Sequence, residues 1–242
     1  MSKCSQCSKE FESIGKHWSQ SVDCDYENLS EKQLDVVTGV LMGDGTIAKQ
    51  KRHYNPYLQV IMIKQEYLNY LYKIFGKFSN GVKFWKSAKE AAEEASKTGF
   101  SENAQEINYE DQYIFRTISH PELERFNEWY SSGEKTFPKN IKLTPTVLKH
   151  WYCCDGYFDN SSNQRITISV ANEVENKDKL LKMFRESGLP SPKFRKCRRK
   201  DGYVGCRLEF LKSDSLKIWE YMGDPLPGFE YKWPGRFINT KE

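Results

Sequence analysis

Long apolar runs are missing from this chain: no stretch of its 242 residues approaches the ~18 consecutive apolar residues of a membrane-spanning helix. An apolar leader is missing too. The N-terminus runs Met1-Ser2-Lys3-Cys4 into polar residues, and the seven cysteines are an odd count. Together these predict a reducing intracellular setting, neither secreted nor membrane-bound, and argue against a disulfide framework. A strong charge of one sign is also lacking. With 37 Lys+Arg against 33 Asp+Glu the net charge is +4, too mild to declare a nucleic-acid partner, so the placement of charge has to carry that argument. Apolar residues, in contrast, are not scarce: 38% hydrophobic and 14% aromatic against 29% charged exclude general disorder and leave large side chains for a core.

Two stretches stand out. In Leu34 to Gly45, LDVVTGVLMGDG, an apolar helical run ends in an aspartate between two glycines, and Val147 to Gly156, VLKHWYCCDG, repeats the arrangement about one small domain later. Each has its own start signal, a Ser30/Gln33 capping box in the first and Thr144-Pro145 at N-cap and N1 in the second. Helices starting there run about three turns and place Asp44 and Asp155 at their C-termini. There the terminal carbonyls, the negative dipole end and a carboxylate make a site for a hard divalent cation, Mg2+ with Mn2+ as a substitute. Gly39 and Gly43 share one helix face and leave room for a second helix to approach; the second copy is the natural partner.

Near the N-terminus, Cys4, Cys7, His17 and Cys24 form C-x2-C-x9-H-x6-C in a segment too short for a core of its own. Thiolate and imidazole donors at that spacing suit Zn2+, which would supply the missing stability, with Phe11 and Ile14 as the few apolar residues between the ligands.

Nine residues, Val37-Thr38-Gly39-Val40-Leu41-Met42-Gly43-Asp44-Gly45, follow the motif of the LAGLIDADG homing endonucleases, and Leu148-Lys149-His150-Trp151-Tyr152-Cys153-Cys154-Asp155-Gly156 resembles the second motif of single-chain members. The resemblance extends over roughly residues 30 to 235, including Thr144-Pro145, Leu226-Pro227 and Tyr231-Lys232, and leaves the Cys/His segment as an addition. It implies an α+β fold of two pseudo-symmetric αββαββα units, with saddle-shaped antiparallel sheets and the motif helices packed at the centre. The expected division is a zinc-finger-like segment over 1–28, a first unit over 29–135 and a second over 136–242. Periodicity agrees with that order: strands near Thr46–Arg52, 57–64, 112–118, 164–170, 193–199 and 203–211, helices over 66–78, 121–130, 176–187 and 213–222, and a charged insertion over 86–112.

The resemblance also implies function: a monomeric, metal-dependent endonuclease that makes a double-strand break at a long asymmetric site in duplex DNA and supports mobility of an intron or other element. Asp44 and Asp155 would hold the metal with the carbonyls of Gly43 and Cys154. Lys212 matches the family's basic residue in the second unit, His120 takes the similar place in the first, and Lys64 is a candidate for positioning water. Basic residues at hairpin tips, Lys49, Lys51 and Arg52 in one unit and Arg195, Arg198, Arg199 and Lys200 in the other, are candidates for DNA contact. Gln50, Gln59, Asn163 and Arg165 add donors and acceptors suited to base edges. The alternative on the same scaffold is an RNA-splicing maturase or a non-cutting DNA-binding regulator.

Overall fold

The structure is a computed structural model and describes residues 1–49, 55–98, 105–161, 164–170, 173–198 and 204–237. Two short strands, β1 (Ser2–Lys3) and β2 (Glu10–Phe11), pair antiparallel and lead into helix α1 (Ile14–Gln20). The first motif forms α2 (Glu31–Met42). Its start is the capping box anticipated from sequence: Ser30 Oγ accepts from the Gln33 backbone N–H at 3.3 Å and Gln33 Oε1 accepts from the Ser30 N–H at 2.8 Å. Strands β3 (Thr46–Ala48) and β4 (Tyr57–Met62), helix α3 (Gln65–Phe75), strand β5 (Ser79–Lys86), helix α4 (Ala88–Lys97) and strand β6 (Gln112–Thr117) follow. The second motif forms α5 (Pro145–Asp155), capped by Thr144, and β7 (Gly156–Asp159), β8 (Arg165–Ser169), α6 (Lys177–Glu186), β9 (Lys193–Arg198), β10 (Val204–Glu209) and α7 (Lys212–Met222) follow.

Both four-stranded sheets are antiparallel and share one order: β3-β4-β6-β5 and β7-β8-β10-β9. Strand alternation sends Leu58, Val60 and Phe115 of the first sheet into a core with Leu68, Leu71 and Phe75 of α3, while Tyr57, Gln59 and Arg116 lie on the other face. In the second sheet Ile166, Ile168 and Leu208 are buried, and Arg165, Thr167, Arg207 and Arg195 line the opposite face. The fold is α+β, as expected, with α2 packed on α5.

One detail departs from the sequence reading. Residues 121–130 form a 3-10 helix rather than an α-helix. The buried residues Leu123, Phe126 and Trp129 recur every third position, which matches three residues per turn and not 3.6. The chain divides into two compact units, in which Met1–Leu29 groups with Gly45–Glu124 and Ser30–Asp44 groups with Arg125–Glu242. The reason is the apolar girdle of α2, where Val36, Val37, Val40 and Leu41 are fully buried and the contact with α5 dominates.

That contact depends on Gly39. A Cβ there would lie 2.5 Å from the Val147 carbonyl oxygen and 2.8 Å from His150 Cβ, so neither neighbour can give without moving α5 backbone. His150 itself is buried, and burial pushes its imidazole down to about 3, so it packs as a neutral ring. Thr144 ties the two helices by donating to Asp35 Oδ2 at 2.7 Å. Gly39→Ala is therefore expected to destabilise by about 1–3 kcal/mol, the usual range for overpacking. In a chain of this size that lowers Tm by about 2–4 °C per kcal/mol, read by calorimetry.

Candidate metal centre and nucleic-acid interface

The two motif helices converge at their C-terminal ends: a Cβ on Gly43 would sit 2.2 Å from Cys154 Cβ, so the backbones meet just before the two aspartates. Asp155 is the last residue of α5, and Asp44 follows the Gly43 cap of α2. Asp44 is exposed and Asp155 half-buried, yet the protein packed around both displaces enough water to raise their carboxyls. For Asp155 burial and, next, the Asp44 charge push it up to about 7. The Cys154 thiol hydrogen-bonds to Asp44, and burial raises it far above the ordinary thiol range, so it stays protonated.

Two lysines that sequence reasoning gave no role stand beside the carboxylates. Lys135 Nζ donates to the Gly43 carbonyl oxygen at 2.5 Å, and Lys232 Nζ donates to the Cys153 carbonyl oxygen at 2.5 Å. Burial lowers both ammonium groups, and the charges of Asp155 and Asp44 oppose that shift in each. Lys135 sits in an irregular segment and Lys232 in a short 3-10 turn, each held from several sides. The Thr136 N–H donates to the Trp129 carbonyl at 2.8 Å, the Phe137 N–H donates to Glu173 Oε1 at 2.7 Å, and the Phe137 ring packs against Trp129 and Trp151. Lys232 is fixed by the Tyr152 hydroxyl, which donates to its carbonyl oxygen at 2.7 Å, and by Trp233 against the Tyr152 ring.

Two carboxylates resisting ionisation, flanked by the half-buried Lys135, the buried Lys232 and helix-end carbonyls, form a centre with the hard oxygen donors a divalent ion requires. The Gly43 carbonyl, which the resemblance assigns to the metal, is engaged by Lys135. A raised carboxyl favours the protonated folded state, so its contribution to stability is present below the ordinary carboxylate range and is lost as pH rises through about 7 for Asp155. In EDTA, Tm is expected to fall between pH 5 and pH 8. Added Mg2+ should restore it at pH 8 and do little at pH 5, a contrast differential scanning fluorimetry reads directly.

Lys212 is exposed at the first turn of α7. His120 is buried within the first compact unit, where its Nε2 meets the Glu27 carbonyl at 2.9 Å and its ring packs edge-on against Tyr26 and Phe78. Lys64 is the N-cap of α3. Lys49 is exposed after β3, Gln59 lies on the polar face of the first sheet, and Arg165 and Arg195 lie on that of the second. Arg198 ends β9, and Gln50, Lys51, Arg52, Asn163, Arg199 and Lys200 lie outside the described residues. On the second sheet Arg195 and Arg207 both bind Glu209 at 2.6 Å, and Arg165 binds Asp159 at 3.2 Å.

The four N-terminal ligands do come together. One donor atom from each of Cys4, Cys7, His17 and Cys24 lies within 4.8 Å of the others, and Cys7 Sγ is 3.7 Å from His17 Nε2. Tetrahedral ligands at ~2.3 Å from one ion stand about 3.8 Å apart, so the donor set fits a metal. Backbone N–H groups, that of Cys7 foremost, bring the Cys4 thiol down to about 6, which supplies a thiolate at neutral pH.

A family model described as the LAGLIDADG DNA endonuclease family matches residues 34–218. The chain belongs to that family. The fold agrees: the homing endonuclease I-WcaI bound to its DNA recognition sequence superposes with a TM-score of 0.69 at 14% identity, covering 90% of this chain and 91% of that one. The LAGLIDADG homing endonuclease I-GzeII in complex with its DNA target is similar over 78% of this chain and 83% of its own, at 10% identity and a TM-score of 0.44. Comparison with curated proteins gave no match. Among the described residues of this LAGLIDADG chain, no helix is long and apolar enough to cross a membrane.

Proposed function

We propose that this LAGLIDADG protein is a metal-dependent, site-specific endonuclease that, as a monomer, hydrolyses one phosphodiester in each strand of a long asymmetric duplex DNA site. The observation that carries the reading is the meeting of Asp44 and Asp155 at the ends of two packed helices, with Lys135 and Lys232 donating to the adjoining carbonyls. The two carboxylates would hold Mg2+ or Mn2+, which when bound lowers the pKa of a coordinated water and offsets charge on the phosphate. Lys135 and Lys232 add fixed positive charge in a partly dry site, where it acts on the developing phosphate charge at no cost of reorganisation. The polar faces of the two sheets supply base and phosphate contacts, and the Cys4/Cys7/His17/Cys24 cluster holds structural Zn2+.

A plasmid library carrying the native insertion site should be linearised with Mg2+ and left intact in EDTA. Binding without cutting under any divalent ion would replace this reading with a regulator or an RNA maturase. Elemental analysis of the purified protein should give one zinc per chain.

A further inference from the structure

A second cationic site lies wholly within the compact unit of residues 1–29 and 45–124, where α1 stands over the polar face of the first sheet and encloses a cleft of about 650 Å³. Lys16 and Gln20 line it from the helix, and Tyr57, Lys83 and Arg116 line it from the sheet. No aspartate or glutamate contributes to the lining, and none of the three cations has a carboxylate partner among the described residues. The second sheet differs: its Arg165 pairs with Asp159, and Arg195 and Arg207 share Glu209, so carboxylates of the same sheet contact all three. A cleft with three unpaired cations and no anion selects an anionic occupant.

The cleft is also built rather than incidental. Register places Lys83 opposite Ile114 and Gln59 opposite Arg116, so Lys83 and Arg116 share a sheet face. Arg116 Nε donates to Gln59 Oε1 at 2.8 Å, and its guanidinium lies 5.9 Å from the Tyr57 ring and 5.6 Å from the Trp85 ring, which fixes its plane. The helix wall is held as firmly. Trp18 is buried against Tyr26 and Phe78, Lys77 pairs with Glu27, and a Cβ on Gly15 would meet Ile118 Cδ1 at 3.3 Å. His17 in the same helix belongs to the Cys/His cluster, so a metal there would lock α1 while Lys16 and Gln20, four residues apart, point into the cleft.

We infer that this cleft binds the sugar-phosphate backbone of duplex DNA, with Lys16 and Lys83 as phosphate contacts, so that the Cys/His module extends the DNA surface of the first sheet. The inference rests on the endonuclease reading, because it takes the sheet's polar face to be the face that meets the duplex. The ligand is a backbone and not a small anion, since the cations come from two separate elements along an open cleft continuous with that face.

The test is the salt dependence of binding to a random-sequence DNA duplex by the zinc-loaded full chain. Lys16→Ala and Lys83→Ala should each reduce the slope of log K against log[salt] by about 0.9, and the double variant by about twice that, as expected for one phosphate contact per lysine. Lys73→Ala, on the exposed side of α3, serves as the control and should leave the slope unchanged. Unchanged slopes in both lysine variants, with normal binding by wild type, would overturn the cleft assignment alone. Absence of salt-dependent duplex binding by wild type would bring down the endonuclease reading with it. A lysine-dependent slope seen with single-stranded RNA and absent with duplex DNA would also overturn the assignment, in favour of RNA.

Discussion

Asp44→Asn and Asp155→Asn are each expected to abolish double-strand cleavage while leaving affinity for DNA nearly intact or higher. The amide keeps the size and polarity of the carboxylate but removes the charge that holds a divalent ion in a place where helix-end carbonyls alone are weak ligands. Metal-assisted stabilisation is worth several kcal/mol, and at about 1.36 kcal/mol per tenfold the loss is on the order of 10³-fold or more. Binding should survive, because it comes from the sheet faces, and removing a carboxylate reduces repulsion with the phosphates. Nicking of one strand is the residual activity compatible with one surviving carboxylate. In EDTA at pH 8, Asp155→Asn should also raise Tm, since the neutral side chain no longer has to ionise beside Asp44. A double variant that cut both strands at the wild-type rate would return the two aspartates to the role of helix-ending turns.

Features governed by local chemistry were legible in the sequence. The start of α2 follows from a serine and a glutamine three residues apart, and that of α5 from a threonine before a proline, so the positions of Asp44 and Asp155 could be counted from those caps. Strand alternation placed Gln59 and Arg165 on strands, and ligand type and spacing brought Cys4, Cys7, His17 and Cys24 into one cluster. Features set by tertiary contacts were not legible. Lys135 lies in a stretch without helix or strand, and its position depends on a rung of aromatics, Trp129, Phe137 and Trp151, drawn from three separate segments. Lys232 sits in a 3-10 turn and is set by a tyrosine from α5. The one usable signal was the Tyr231-Lys232 pair, a cation among aromatics close to Trp233, which the resemblance included without giving it a function. His120 and Lys212 rest on the resemblance alone, which matches them to the places of the family's basic residues. In the structure the first is committed to packing, and the second is in water.

That difference leads to the second large effect. Lys135→Met and Lys232→Met are each expected to slow cleavage at saturating DNA by about 10²–10³-fold, the magnitude found when one preorganised donor is removed from a charge-stabilising site. Methionine approximates the length of the lysine stem but brings no charge, so the carboxylates lose their neighbouring cation and the carbonyl of Gly43 or Cys153 loses its donor. The second loss is structural and costs about 1–3 kcal/mol of stability for a buried acceptor. Rate and stability therefore have to be measured together: a melting temperature well above the assay temperature, with duplex affinity close to wild type, isolates the effect on the chemical step. The pH profile adds a readout that packing alone would not move. Without a nearby ammonium, Asp155 should ionise at still higher pH, since the charge of Lys135 lowers its carboxyl now, and the rise of cleavage rate with pH should shift upward in Lys135→Met. Lys212→Ala should stay within about twofold of wild type in rate, as expected of an exposed side chain whose removal changes little. If Lys212→Ala instead lost activity while both methionine variants cut normally, the basic residues of the centre would be those anticipated from the sequence, and the carbonyl-bound pair would be structural.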